Sequence, residues 1–506
     1  NLDKKLRAAL KEGTNLLAVE TNKGRSQFFD VSLFDMKDGI ADDILMTPGQ
    51  PNILRGPNGF EWWLIYMANK NDEHRGQYIN RVQFFDKTLF VDGITGPRTA
   101  GYHPEPSMPT FAGKGETASF GVLQQVQPSV DYLFETGVKT EGGAGVIAWW
   151  KDADNCAYVG LDAENRSWYL RTLVGGKENK ESYALPEDFH WGVYHHLRIE
   201  RNGGCLKIWL DEIPAPGRHV FAEAVPAEEA GVPGVFDETK SALFEGATYT
   251  IGFDDVHFQL SGNEELLKGD FLNDYELSFQ LSGLSGQDKA GSYPVYVDKD
   301  NYVKAQFDGI TRMLEVTAVK KGKTAWKKEF PLGCLQTLYP DVKYTDFIEK
   351  GYRFAAPAWL DTLYLNRHEA GNKSEFVDDM FGKFDIEYLN GGEWHPIENK
   401  DRGIAEHPAY NYCTFTPVKA EGIRFINKEA EDLERHIYKI GVHELWKESY
   451  NFRAVRRADK LYLFVDGREL GALDIRYPAS CIGFCSEGGS PVYSGTLYYH
   501  VGQRRD

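Results

Sequence analysis

The sequence predicts an all-β protein of several domains, and three observations predict it. Aromatic residues make up 13% of the 506 positions, with 27 Tyr, 30 Phe and 11 Trp, and 51 Gly accompany them. Aromatic side chains favour strands and glycines punctuate them. Short runs of alternating apolar and polar residues, broken by Gly, Asn and Asp, fill the chain almost from end to end. Third, distant segments repeat. "LRIERNGGCLKIWLDE" from Leu197 matches "FRAVRRADKLYLFVDG" from Phe452 without a gap, aligning Arg198 with Arg453, Arg201 with Arg456, Leu206 with Leu461, Trp209 with Phe464 and Asp211 with Asp466. Length alone asks for about three or four domains.

The first unit is expected over residues 1–110. "TNLLAVETN", "SQFFDVSLF", "EWWLIYMA" and "QYINRVQFF" read as four strands, and Pro/Gly-rich Gly93 to Glu116 reads as a linker. The opening residues read as starting in mid-structure, without the three-part pattern of a secretory signal.

The repeat organises the remainder. The long match has an offset of 255 positions (452 − 197), whereas "DNCAYVGLD" at Asp154 and "DNYVKAQFD" at Asp300 are offset by 146. The difference, 255 − 146 = 109, places about 110 extra residues inside the second copy. One copy is therefore expected over 111–262, the second over 263–330 and 446–506, and an inserted domain over 331–445. "TIGFDDVHFQL" from Thr250 and "GTLYYHVG" from Gly495 read as closing strands, with alternating apolar residues giving each one buried face.

Composition excludes some partners. A formal net charge of −18 repels nucleic acid and anionic membrane surfaces and is neutral toward sugars. No apolar run reaches about 18 residues, so no membrane span is expected. The six cysteines include no CxxC pair, and no His cluster has zinc spacing, so no metal site is assigned. His195 and His196 are adjacent on a strand and point apart, so they do not share one metal. No GxGxxG, P-loop or nucleophile elbow occurs, which disfavours nucleotide-dependent and serine-hydrolase chemistry.

Three resemblances follow from the quoted segments. "GPNGFEWWLIYMANK", "RGQYINRVQFF" and "DGITGP" resemble the closing blade of a five-bladed propeller of glycoside hydrolase family 43, with "LLAVETNKGRSQFFDVSLFDM" as the preceding blade. The strand–hairpin pattern of each repeat resembles the concanavalin-like, laminin-G-like sandwich. "FDIEYLNGGEWHPI", "YCTFTPVKAEGIRFIN" and "RHIYKIGVHEL" resemble the latter half of a discoidin-like jelly roll, with Gly441 where that family has an acid. The fold class is thus partial propeller blades, then two concanavalin-like sandwiches, the second interrupted by a jelly roll.

The family 43 resemblance implies an inverting glycosidase acting on arabinofuranosidic or xylosidic links in plant polysaccharide, with opposed acid and base flanking a water. That family carries its two Asp and one Glu in its first three blades, which this sequence does not show. No residue here is assigned as acid or base. The expected partners are an oligo- or polysaccharide and an N-terminal propeller fragment or second chain supplying those carboxylates. A non-catalytic carbohydrate-binding protein is the alternative, and an adhesion or scaffold protein the next. The substrate class favours a periplasmic or secreted location. The sandwich resemblance implies no cofactor beyond calcium as a structural ion, with Asp254 and Asp255 as its candidates and a solvated turn as the simpler reading.

Seven residues are candidates for sugar contact. Gln50 stands where the family has a His and keeps hydrogen bonding without titrating. Arg75 stands near the family's substrate-side arginine. Trp62 and Trp63 are neighbours on a strand and face opposite ways, so one packs inward while the other meets a sugar; core packing of both is the plainer alternative. Trp149 and Trp150 offer a platform on the first sandwich, and Trp394, with His395 and His407, a loop pocket in the insert. For these too, ordinary packing is the competing reading.

Overall fold

The computed structural model describes residues 45–70, 74–85, 88–91, 105–113, 121–338, 352–366, 384–405, 410–427 and 439–502. The "LLAVETN" and "SQFFDVSLF" segments and most of the Gly93–Glu116 linker lie outside the described residues. Every named element is a strand, and the protein is all-β.

A four-strand antiparallel meander comes first: β1 (Leu45–Arg55), β2 (Trp62–Lys70), β3 (His74–Phe85) and β4 (Thr88–Val91). The next stretch holds β5 (Phe111–Ala112), β6 (Gly121–Val122), β7 (Asp131–Lys139), β8 (Gly143–Asp152), β9 (Asn155–Asp162), β10 (Ser167–Val174), β11 (Lys177–Ala184), β12 (Tyr194–Asn202), β13 (Cys205–Leu210), β14 (Ile213–Pro214), β15 (Val220–Phe221), β16 (Val232–Asp237) and β17 (Leu243–Gln259). Then follow β18 (Glu265–Leu272), β19 (Asp274–Ser282), β20 (Lys289–Asp298), β21 (Asn301–Asp308), β22 (Met313–Lys320) and β23 (Lys323–Pro331).

A seven-strand sheet interrupts at this point, made of β24 (Cys334–Leu338), β25 (Tyr352–Asn366), β26 (Phe384–Asn390), β27 (Glu393–Pro396), β28 (Asn399–Ala405), β29 (Tyr410–Asn427) and β30 (Lys439–Trp446). It encloses its own apolar cluster around Leu360, Leu363, Ile423 and Phe425. The chain then returns with β31 (Ser449–Arg457), β32 (Lys460–Val465), β33 (Arg468–Asp474), β34 (Ser480–Glu487) and β35 (Val492–His500).

Two six-strand sheets have matching orders, β11-β10-β9-β8-β16-β6 and β23-β22-β21-β20-β34-β18. Both pack on a single twelve-strand sheet of order β14-β13-β12-β7-β17-β35-β19-β31-β32-β33, with β15 beside β13 and β5 beside β17. Its centre is the antiparallel pair β17–β35. Period-two alternation builds each layer: on β13 Leu206, Ile208 and Leu210 are buried while Cys205, Lys207 and Trp209 face out half-buried. One apolar core, with Trp149, Trp168, Ile199, Phe279, Phe307 and Tyr498 among its members, runs through both halves.

The aligned arginines occupy equivalent strands, β12 and β31. Arg201 and Arg456 are both fully buried, and each spends its guanidinium on backbone carbonyls. A buried charge needs that saturation. Gly145 on β8 and Gly291 on β20 are also equivalent. A Cβ on either would stand 2.1 Å from a carbonyl oxygen of the neighbouring strand, so neither position admits a side chain.

Candidate functional site

The four-strand sheet docks on the twelve-strand sheet through the turn that joins β1 to β2. Asn58 shapes the turn, its Oδ1 accepting from the backbone N–H groups of Phe60 (3.1 Å) and Glu61 (3.0 Å). Gly59 adopts φ 78°, and a Cβ there would lie 2.8 Å from the Leu133 side chain. The Phe60 ring stacks on Tyr499 at 5.6 Å within a small cluster that includes Leu133 and Val501.

Polar contacts lock the same junction. Buried Arg81 on β3 donates to Tyr499 Oη (2.9 Å) and to Glu276 Oε1 on β19 (3.3 Å). Burial pulls its pKa down, but the field of Tyr499, Glu276 and Glu61 outweighs that pull and raises it above the ordinary arginine value. Glu61 in turn accepts from Trp63 Nε1 (3.1 Å) and from the Ser107 N–H (2.9 Å). Trp63, at 3% exposure, is therefore an anchor of the junction.

Beside this anchor opens a cleft of 570 Å³. Trp62 and Phe84 form one wall, meeting edge to face at 5.9 Å, with the Arg55 guanidinium 4.7 Å from the Trp62 ring. On the opposite wall, β12 and β13 present Arg198, Glu200, Lys207 and Trp209, the Arg198 guanidinium lying 5.1 Å from the Trp209 ring. Asp254 and His257 on β17 and Ser494 on β35 complete it, with His257 Nδ1 and Ser494 Oγ 3.2 Å apart. Bulges in the β17–β35 pairing and Gly495 at φ 54° bend the backbone beneath these side chains.

Arg198 ties the two walls. Its Nη1 donates to Gly59 O (3.2 Å) and pairs with Glu135 Oε1 (2.8 Å). Burial raises the Glu135 carboxyl to about 7, against the pull of Arg55 and with a smaller push from Glu212. Lys207 sits 3.7 Å from Glu200. The cleft thus combines three large rings with acceptors and donors of both signs. Such a site can grip a ring that is apolar on its faces and hydroxylated at its edge.

The structure scatters the expected sugar contacts. Of those whose side chains are described, Trp62 alone lines the cleft. Gln50 is exposed at φ 53° in an irregular part of β1, and Arg75 pairs with Asn69 in the β2–β3 ladder, its side chain outside the described residues. Trp149 is a correction: it is 0% exposed in the core, 5.5 Å from the Arg201 guanidinium, and offers no face to a ligand. A bulge between Ile147 and Trp149 turns it inward, which strict alternation does not foresee. Trp150 lies half-buried on the outer face of β8, and Trp394 half-buried 4.6 Å from the Arg424 guanidinium in the inserted sheet. No single platform unites them.

His195 and His196 bind separate carboxylates, Asp211 at 2.7 Å and Glu212 at 3.0 Å. Burial lowers the His196 pKa against the pull of both acids. Asp254 lies in the cleft, whereas the side chain of Asp255 and all of His407 lie outside the described residues. His395 contacts the ring of Tyr388. Among the described residues no three His, Cys, Asp or Glu side chains converge on a metal position, and no helix is long and apolar enough to cross a membrane.

Trp209, Glu200, Lys207, His257 and Phe84 were not singled out by the sequence. Their signal was present: Arg198 and Glu200, like Lys207 and Trp209, occupy the alternate positions opposite Leu197, Ile199, Leu206 and Ile208, an outward face richer in function-bearing side chains than a solvated edge needs.

No family model matches the sequence, and no curated protein matches it. Among solved structures, it is similar to the carbohydrate-binding module CBM66 from Bacillus subtilis, at 14% identity and a TM-score of 0.21, over 40% of this chain and 96% of that one. It is similar to a mutant of the GH43 protein BlXynB from Bacillus licheniformis, at 11% identity and a TM-score of 0.21, over 43% of this chain and 55% of that one. It is also similar to the Aspergillus kawachii β-fructofuranosidase complexed with glycerol, at 10% identity and a TM-score of 0.25, over 90% and 70%. At these values none of the three carries an assignment of function.

Proposed function

We propose that this chain is a carbohydrate-active protein that holds a sugar ring in the cleft beneath the four-strand sheet. The observation that carries the reading is the meeting of Trp62, Phe84 and Trp209 with Glu200, Asp254 and His257 in one cavity of 570 Å³. Rings supply stacking area at low entropic cost, and the carboxylates and imidazole meet hydroxyl groups at the ring edge. Calorimetric titration with xylo- and arabino-oligosaccharides tests it. Binding that weakens in both Trp62→Ala and Trp209→Ala supports the cleft. Undiminished affinity in both variants overturns it.

The finer reading is that the chain is part of a glycosidase of the family 43 kind, cleaving arabinofuranosidic or xylosidic links with inversion, its carboxylates supplied from elsewhere. The closing-blade resemblance of "GPNGFEWWLIYMANK" supports this, as does the surface of the four-strand sheet. Its cross-strand register puts exposed Ile53, Phe84 and Leu89 on one face and exposed Leu54 and Ile79 on the other. Apolar side chains on both faces suit a sheet stacked between further sheets. The test is turnover of aryl arabinofuranoside and xyloside by the chain alone and with an N-terminal propeller fragment. Sugar binding without turnover in either case leaves the non-catalytic reading.

A further inference from the structure

Where the inserted sheet meets the second sandwich, three buried N–H groups find no acceptor among the described residues: Trp359 Nε1, Trp446 Nε1 and Arg312 Nε. A buried donor left unmet costs free energy, and native structures almost always supply it with a partner. Trp446 ends β30 and pairs with Trp359 of β25, which pairs in turn with Lys419 of β29. Residues directly opposite in a ladder share a face, so the three form one row. The next residue, Leu360, points into the insert's own apolar cluster, so Trp359 points the other way, toward the sandwich. Trp446 is 1% exposed, and its ring meets Tyr450 of β31 edge to face at 5.3 Å.

The sandwich supplies the other side of this joint. Gly286, in the loop between β19 and β20, adopts φ 81°, and a Cβ on it would stand 3.2 Å from Trp359 Nε1 and 3.9 Å from Trp446 Cδ1. Both indole edges therefore border one space that a side chain at 286 would fill. Arg312 closes the turn between β21 and β22 at φ 59°, and its guanidinium lies 4.2 Å from the Trp359 ring. Among the described residues no carboxylate forms an ion pair with it. Asp308, at the head of the same turn, is taken by Lys289 at 2.7 Å and by the N–H groups of Ile310 (2.9 Å) and Thr311 (3.2 Å). Glu448, two residues beyond Trp446, is taken by Lys419.

We propose that this joint binds a small monovalent anion of halide size, which accepts from Trp359 Nε1, Trp446 Nε1 and Arg312. A bridging water accepts from two donors and must place two hydrogens of its own on acceptors; an anion accepts from all three and offsets the arginine charge. The three nitrogens are shut off from bulk solvent, which suits a halide and not a bulky polyatomic ion. A net charge of −18 repels anions from the chain at large, so binding here has to come from the local donors and saturates. The inference rests on those donors and is independent of the sugar reading of the cleft.

The test uses the full chain and two readouts: broadening of the chloride NMR line, and thermal melts in sodium chloride against sodium methanesulfonate at equal ionic strength. Trp359→Phe keeps an aromatic face beneath Arg312 and removes one N–H. Arg312→Gln, at a half-buried turn position, removes the charge. The parent chain is expected to broaden the line saturably, with bromide displacing the effect and methanesulfonate not, and to melt higher in chloride. Each variant is expected to lose the broadening and to melt alike in the two salts. Broadening that is missing in the parent, undiminished in either variant, or displaced equally by methanesulfonate overturns the inference. A melting deficit of the variants that is the same in both salts means that water fills the joint, and overturns it too.

Discussion

Arg201 and Arg456 stand 255 positions apart (456 − 201) and hold the same kind of backbone in the same way. Each Nε donates to the carbonyl two residues ahead, Gly203 at 3.0 Å and Ala458 at 3.3 Å. Each Nη2 spans two further carbonyls, Pro226 and Glu229 in one case, Tyr477 and Pro478 in the other. Each guanidinium lies 5.9 Å from the ring of a buried tyrosine, Tyr132 or Tyr275. The cations fasten irregular loops to the sandwich edge.

Replacing either arginine by Met therefore strands several buried carbonyls. At about 1–3 kcal/mol for each acceptor left unpaired, Arg201→Met and Arg456→Met should each cost at least about 3 kcal/mol. Urea unfolding of the two variants checks this. A loss under about 1 kcal/mol would mean that water replaces the guanidinium without penalty.

Arg81→Met should loosen the four-strand sheet selectively. Among the described residues it leaves Glu276 paired with Arg453 alone, 3.7 Å away, and takes the Arg81 donor from Tyr499. Breaking a buried pair of this kind costs about 3–5 kcal/mol. Hydrogen exchange should rise across β1 to β4 while β20 and β21 stay protected. Uniform protection in the variant would show that the Phe60–Tyr499 stack alone secures the junction.

Two glycine variants should separate steric from conformational cost. Gly291→Ala drives a methyl to 2.1 Å from Ala305 O, a backbone atom that cannot swing away, and should disrupt the second six-strand sheet. Gly391→Ala has open space but φ 60°, and should cost only about 1–2 kcal/mol. Thermal melts of the two variants should differ accordingly; equal melting temperatures would contradict the account.

His443 and Asp361, 2.8 Å apart in the inserted sheet, set a pH window. The hydrogen bond to Asp361 raises the His443 pKa against burial. At Asp361 burial pushes upward, but the hydrogen bond and charge of His443 outweigh it and lower the pKa. The histidine's share of stability is complete below its ordinary value of 6.5 and fades as pH rises through its higher folded value. The aspartate's share is complete above 3.8 and fades as pH falls through its lower folded value. The deficit of His443→Asn relative to the parent should be largest near about pH 5–6 and shrink at about pH 9, read from paired melting curves. A deficit independent of pH would refute the pairing.

The all-β class was legible because alternation is local. So was the kinship of Arg198 with Arg453 and Arg201 with Arg456, since buried cations with fixed duties tolerate no shift in spacing. The joining of the halves through β17 and β35 left no trace, because pairing between strands distant in sequence has no periodicity to read. The cleft was half legible. Trp62 stood out as one of two adjacent tryptophans, but Glu200, Lys207 and Trp209 become a wall only when the turn at Gly59 reaches Arg198, 139 residues away. Trp149 misled for a local reason, the bulge that sends Ala148 and Trp149 to the same side.

The shared ladder between β17 and β35 also determines how the molecule can be divided. A protein cut after Gln259 would retain the 252–259 end of β17 stripped of its neighbour β35, and the remaining piece would carry the complementary bare border of β35. Unsatisfied amide and carbonyl rows of that length recruit other chains. Fragments separated there should precipitate or reassociate, so either half can stand alone only with a new border strand or with charged substitutions along the exposed one.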